Sequence, residues 1–301
     1  MAHVDRMFQH RGAVTGLRAQ GDALWFTTRH AEGHATALYR LDLDKVEQKA
    51  YPLPCGGLDL DPDGDDLLVT AENGQIYRLR AGEAALAPIG PALSPAGTAL
   101  AVLSKGRLGV LRGALLSIVS AADGAVLQDL ELPEAGTAIV ADPTGHWIAV
   151  GTAGGKLCAF DDEDKERFLG GEAVKAHEGA VTTLCFEPGE LRVLSAGVDN
   201  KLLSTHLRGR LEPEDRGGGA AHDGPVRGIA IGAEEHSDRR FYTAGDDGVL
   251  KAWPLGAGRK RPTTTKDWIA KSVGLIVVKY KARPALALAL LDGSIRILLM
   301  D

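Results

Sequence analysis

The sequence predicts an all-β fold. Three observations carry that prediction. Apolar runs are short, rich in Val, Leu and Ile, and separated by Gly, Asp, Asn and Pro, the pattern of brief strands joined by tight turns. A unit near the middle of the chain recurs at a fixed spacing. The final copy of that unit lacks its outer strand, while an N-terminal strand has no other partner. Together these describe a closed ring: a seven-bladed β-propeller spanning residues 1–301 as one domain.

The unit is plainest in two stretches. "AHEGAVTTLCFEPGELRVLSAGVDNKLLSTHL" begins at Ala176 and "AHDGPVRGIAIGAEEHSDRRFYTAGDDGVLKAWPL" at Ala221, 45 residues later. Each opens on Ala-His, an acidic residue and Gly. Each then runs through an apolar strand, a turn, a second strand ending in small residues, an Asp and a third strand. Weaker copies fill the rest. "HRGAVTGLRAQGDALWFTT" from His10 repeats the opening, with "LYRLDL" as its third strand. "LDLDPDGDDLLVTAENGQIYRLR" gives two strands and a third after Asn73-Gly74. "TALAVLSKGRLGVLRGALLSIVS" after Gly97, "TAIVADPTGHWIAVGTAGGKLCAFD" after Gly136 and "VGLIVVKYKARPALALALLDGSIRILLMD" each read as three strands. The blades predicted are 11–52, 53–90, 91–133, 134–175, 176–220, 221–266, and 267–301 completed by 1–10. Residues Val4 to His10 supply the missing outer strand of the last blade, and closure removes the open edges that invite aggregation.

Composition narrows the function classes. The net charge of -6 argues against non-specific nucleic-acid binding, which needs a basic surface. The three cysteines, Cys55, Cys158 and Cys185, are odd in number and widely spaced, so they read as buried free thiols in a reducing compartment. "MAHVDRMFQH" has charges where a signal peptide needs an apolar run, and the longest apolar runs are too short to span a bilayer. A cytoplasmic location is expected, with no membrane partner. Abundant Ala, Gly, Leu and Arg beside scarce Asn point to a GC-rich, bacterial source.

These residues resemble the WD40-repeat family. The fullest match is blade six: Ala221-His222 for the family's Gly-His, Thr243 on the second strand, Asp247 in the tight turn and Trp253 on the third. In the family these side chains form one hydrogen-bonded chain, so the resemblance implies a structural tetrad of His222, Thr243, Asp247 and Trp253. Blade five keeps His177, Ser195 and Asp199 but has Thr205 at the Trp position. Blade seven keeps Asp292-Gly293 but has Leu298 there; blades one to three match weakly.

Three stretches invite a chemical reading. His177, Ser195 and Asp199 are the residue types of a catalytic triad. The same types recur in order as His222, Thr243 and Asp247, and a blade-stabilising network repeats where a triad does not. "DLDPDGDD" places Asp59, Asp61, Asp63 and Asp65 at the ligand spacing of a calcium loop, with Gly64 in the sixth place. The twelfth position is Thr70 rather than the bidentate Glu, and the stretch aligns with "ADPTGHW" and "FEPGELR" as the turn between first and second strands, Pro presetting φ and Gly taking φ > 0. His30 and His34 lie in an extended loop of blade one. "GRKRP", through Arg259 to Pro262, and "DDEDKER", from Asp161, read as solvated charged turns.

The expected function is a non-catalytic protein–protein interaction scaffold, without cofactor or metal, that is or belongs to the N-terminal module of a larger protein. Candidate partner contacts are Trp268, Arg29, His30, His34, Asn200 and Asp246, on the face formed by the loops between blades and the turns before third strands. The alternative is a propeller enzyme, a lactonase-like hydrolase with a central metal.

Overall fold

Seven four-stranded antiparallel sheets follow one another along the chain. They belong to a computed structural model that describes residues 3–10, 12–28, 36–162, 167–232, 240–255, 261–262, 264–267 and 271–299. The N-terminal strand is β1 (His3–Gln9). Blade one is β2 (Val14–Gln20), β3 (Ala23–Thr28), β4 (Ala37–Asp42) and β5 (Glu47–Pro52). Blade two is β6 (Gly57–Asp63), β7 (Asp66–Ala71), β8 (Ile76–Leu79) and β9 (Ala87–Ile89); blade three is β10 (Ala99–Leu103), β11 (Arg107–Arg112), β12 (Leu115–Ser120) and β13 (Val126–Glu131). Blade four is β14 (Gly136–Ala141), β15 (Trp147–Thr152), β16 (Lys156–Asp161) and β17 (Leu169–Lys175); blade five is β18 (Val181–Phe186), β19 (Arg192–Gly197), β20 (Leu202–His206) and β21 (Pro213–Asp215). Blade six is β22 (Val226–Ile231), β23 (Arg240–Gly245), β24 (Val249–Pro254) and β25 (Thr264–Asp267). Blade seven is β26 (Ser272–Tyr280), β27 (Arg283–Leu290) and β28 (Ser294–Leu299), and β1 completes it. The predicted fold, all-β and seven-bladed, is the observed one.

The second strands explain the apolar runs. Every residue of β3, β11 and β15 is buried. Each such strand has a blade packed on both faces, so its middle is a run of apolar or small residues rather than an alternation, with polar residues only at its ends. The outer strands show the opposite pattern: β5 is exposed at five of six positions. Three devices blunt these outer edges against pairing with another chain. β9 and β21 are three residues long, β5 and β9 carry Pro52 and Pro88, and β17 is bulged opposite Ala159 and Phe160.

Among the described residues a backbone hydrogen bond joins each of blades one to six to the blade before it in the ring. A residue four to six places ahead of an inner strand donates its N–H to a carbonyl in the previous blade's turn between second and third strands. Leu53 donates to Thr36 (2.9 Å), Leu93 to Gly74 (2.8 Å), Leu132 to Ala114 (2.9 Å) and His177 to Gly155 (2.9 Å). In blade six the best bond runs from Ala221 to Asn200, at 2.8 Å. The ring closes on the same contact, from His10 to Gly293 at 3.0 Å. The turn residues need positive φ: +79° at Gly74, +87° at Gly155, +80° at Gly293 and +66° at Asn200. A Cβ on Gly155 would also lie 2.1 Å from the His177 carbonyl oxygen, so close approach and conformation both demand glycine there.

Three expectations need correction. In blade two, Pro62 is not in the turn. It pairs with Leu67 inside the hairpin, and the tight turn is Gly64–Asp65 with Gly64 at φ +61°. Pro62 sits on the channel-lining edge strand, where a missing N–H is tolerated. The Pro-turn reading does fit blade five, where the Glu190 N–H donates to the Glu187 carbonyl across Pro188 and Gly189. Asp162 is not a solvated turn residue; it is fully buried. Of the three free cysteines only Cys158 is buried, while Cys55 and Cys185 are half-buried. Burial pushes the Cys158 thiol up to about 11 and the Cys185 thiol up to about 12, so neither is a ready nucleophile.

Deleting residues 1–9 leaves the outer edge of β28 unpaired and opens the ring. The truncated protein is expected to melt about 10 °C or more below the full chain, because several kcal/mol of pairing and burial are lost at about 2–4 °C per kcal/mol. It should also scatter light at lower temperature. Differential scanning calorimetry with light scattering checks both.

Candidate functional site

The best-developed polar constellation lies at the seam between blades five and six. The indole N–H of Trp253 can only donate, and it donates to Thr243 Oγ1 at 2.8 Å. The Thr243 hydroxyl then faces His222 Nε2 at 2.7 Å, which leaves the Nδ1–H of His222 for Asp247, 3.0 Å from both carboxylate oxygens. Asp247 also accepts the N–H groups of Asp223 and Val249. Every polar atom in this buried chain therefore has a partner.

Blade five holds the shorter version. The Ser195 hydroxyl lies 2.9 Å from His177 Nε2, and His177 Nδ1 lies 2.9 Å from Asp199. Asp199 accepts the Glu178 and Lys201 N–H groups. Thr205, in the place of the tryptophan, is fully buried and its hydroxyl makes no hydrogen bond. Hydroxyl, imidazole and carboxylate are connected here as in a serine hydrolase. Access decides against that chemistry: Ser195 is 0% and His177 1% exposed, so no substrate carbonyl can reach the hydroxyl.

A third His–Asp pair, missed in the sequence, is tied through Arg107 to blade three. Asp162 Oδ1 lies 2.6 Å from His146 Nδ1, and its other oxygen meets Arg107, with Lys105 at 3.6 Å. Ser104 Oγ stands 3.4 Å from the same His146 Nδ1. A relay needs the hydroxyl and the carboxylate on different ring nitrogens, so this cluster is a charge clamp. The Arg107 guanidinium also covers the Phe168 ring at 4.8 Å.

The inner strands enclose a central channel of about 750 Å³. Asp59 and Asp61, from the calcium-like stretch, belong to it. Arg18 of blade one donates to Asp61 at 2.9 Å and lies 3.6 Å from Asp59. The two carboxylates also accept N–H groups on the free edge of blade three's inner strand, Asp59 from Leu100 at 3.1 Å and Asp61 from Val102 at 2.8 Å. Three blades are thereby joined through one ion network. Burial holds the Asp59 carboxyl above its ordinary value although Arg18 and the Leu100 N–H oppose it. Burial also works against the Arg18 charge, but the two carboxylates outweigh it and hold the guanidinium above its ordinary value. Among the described residues no group of three or more His, Cys, Asp or Glu side chains converges as a metal site would require.

Of the candidate partner contacts, Arg29, His30, His34 and Trp268 lie outside the described residues. The other two are engaged within the frame. Asn200 occupies the positive-φ turn position, and Asp246 accepts Arg227 through both oxygens at 2.9 and 3.2 Å. The four-residue offset between lead-in residue and inner strand was legible but unread. It puts Leu53 and Leu132 at the places held by His177 and His222, and Leu93 makes the same contact from six residues ahead of β10.

Burial holds His222 and His177 below their ordinary 6.5, against the opposing pull of Asp247 and Asp199. Both carboxyls sit below their ordinary 3.8: burial opposes ionisation, but backbone N–H donors and the facing imidazoles outweigh it. Below pH 6.5 the unfolded chain therefore binds protons that the folded imidazoles refuse. Stability is full above that value and falls as the pH drops toward the folded-state values, with a further loss below 3.8 from the carboxylates. Urea melts across this range should show both limbs, and His222→Gln should flatten the upper one. Thr243→Val leaves the indole N–H and His222 Nε2 unmatched and is expected to cost about 2 kcal/mol in the same melts.

No protein-family model and no curated protein matches this chain. Among solved structures it is similar to the β-propeller domain of Cps50 (Swd1) from Myceliophteria thermophila, with a TM-score of 0.78, 14% sequence identity and 100% of each chain covered. At that identity the likeness is one of fold, and the fold is a seven-bladed propeller of the WD40 type.

Proposed function

We propose that this protein is a non-catalytic scaffold for protein–protein interaction. The observation that supports the reading most is where its reactive side chains go. The two hydroxyl–imidazole–carboxylate chains are closed to solvent and placed between blades, and Asp59, Asp61 and Asp162 join one blade to another. Side chains spent in this way stiffen a frame, and a stiff frame presents its loops with little ordering cost on binding. The WD40-type fold agrees with such a role, although a fold by itself hosts many functions.

The docking surface in this reading is the face of the inter-blade loops, with a protein partner and no cofactor. The free cysteines fit a reducing, cytoplasmic setting. Trp268, Arg29, His30 and His34 are its contacts, while Asn200 and Asp246 serve the frame and contribute their exposed surfaces. An indole on a loop is a strong anchor type.

Affinity purification with mass spectrometry tests the proposal, comparing wild type with a Trp268→Ala, His30→Ala variant of equal melting temperature. A specific set of proteins is expected with wild type and not with the variant. An empty wild-type lane removes the reading. Asn200→Gly, by contrast, is expected to keep the melting temperature, because glycine is the residue at that turn position in blades two, four and seven.

A further inference from the structure

A cavity of about 480 Å³ opens on the rim between blades one and two. One wall is the face of blade one that carries Trp25, Arg40, Lys49 and Tyr51; Leu67 and Arg80 belong to the facing wall of blade two. The blade-one residues form part of a cross-strand row. Arg18 stands opposite Trp25, Trp25 opposite Arg40, and Arg40 opposite Lys49. At its channel end the row is neutralised, Arg18 meeting Asp59 and Asp61. At its cavity end it is not. Arg40 reaches only Asp42, at 3.9 Å, and among the described residues neither Lys49 nor Arg80 has an ion-pair partner.

Like charges directly opposite one another on a sheet cost stability. Here they are also fixed in place. Arg40 lies 5.9 Å from the Trp25 ring centre and Lys49 lies 4.6 Å from that of Tyr51. The two rings are themselves in contact, 5.7 Å apart, and are buried beneath the cations. Two cations over buried rings, Arg40 with only a long contact to Asp42 and Lys49 with no ion pair, stand beside a concave space of ligand size and form an oxyanion receptor prepared in advance. The carboxylates on the cavity, Asp22, Asp65 and Glu83, make no ion pair with these cations.

We propose that this cavity binds a small organic anion, a carboxylate or phosphate on a flat apolar body. The oxyanion meets Arg40, Lys49 and Arg80, and the apolar body lies against Leu67, Leu79 and Ala23. The site is independent of the inter-blade loops assigned above to partner docking.

The test is an NMR titration of the full chain with 2-naphthoate, phenyl phosphate and 2-naphthylmethylammonium, following the indole N–H signal of Trp25 as assigned with Trp25→Phe. The expected result is saturable movement with one or both anions and none with the ammonium; the tighter anion identifies the preferred head group. Arg40→Gln with Lys49→Gln should weaken binding about tenfold or more, because the oxyanion loses both charge-assisted contacts. Lys49→Glu, which can pair with Arg40, should abolish binding while melting no lower than wild type. Absence of saturable binding by either anion, equal binding of the ammonium, or unchanged binding in the double variant would each overturn the proposal.

Discussion

The ring depends on one short contact repeated from blade to blade: a backbone N–H reaching into the turn of the blade before. It lies outside the sheets, so it adds to the ladder bonds rather than competing with them. Its acceptor must approach another chain segment closely, and that requirement selects Gly74, Gly155 and Gly293. Asn200 meets the same demand at a residue type that tolerates the left-handed region. The short offset of four to six residues between donor and inner strand then fixes how a new blade enters the ring.

Around that contact the seams are built in two chemistries. Blades five and six fill the lead-in position with His177 and His222 and extend polar chains from it. Blades two, three and four fill it with Leu53, Leu93 and Leu132, all buried. An apolar seam is simpler to satisfy, because no buried donor or acceptor needs matching. A polar seam ties more groups together, and it also makes stability depend on pH. Where the leucine seams lack polar cross-links, charges elsewhere supply them: Arg18 with Asp59 and Asp61 across blades one to three, and Arg107 with Asp162 between blades three and four.

The sequence made the frame legible because its signals are local. The 45-residue spacing, the short apolar runs and the unpaired N-terminal strand each depend on neighbours in the chain or on a count. The polar chain of blade six was legible for the same reason, since its members keep fixed places within one unit. What escaped depends on meetings between units. Asp59 and Asp61 looked like ligands or turn residues because their partners, Arg18 and the N–H groups of Leu100 and Val102, lie in other blades. Asp162 looked solvated because Arg107 is 55 residues away. Pro62 was read into the turn although it lies in the strand, since a two-residue turn and a longer Pro-containing turn share the same composition. The juxtaposed cations Arg40 and Lys49 were invisible until strand register set the two side chains opposite each other.

The outer strand borrowed from the N-terminus has a kinetic side. Gln9 donates to the Asp292 carbonyl across 283 residues, and β1 has no partner until β28 exists. During synthesis, six sheets can pair within themselves as they emerge, while the first strand waits for the last. The closing step therefore carries the largest loop-closure entropy in the molecule, and until it occurs β1 and β28 remain open to pairing with the wrong chain.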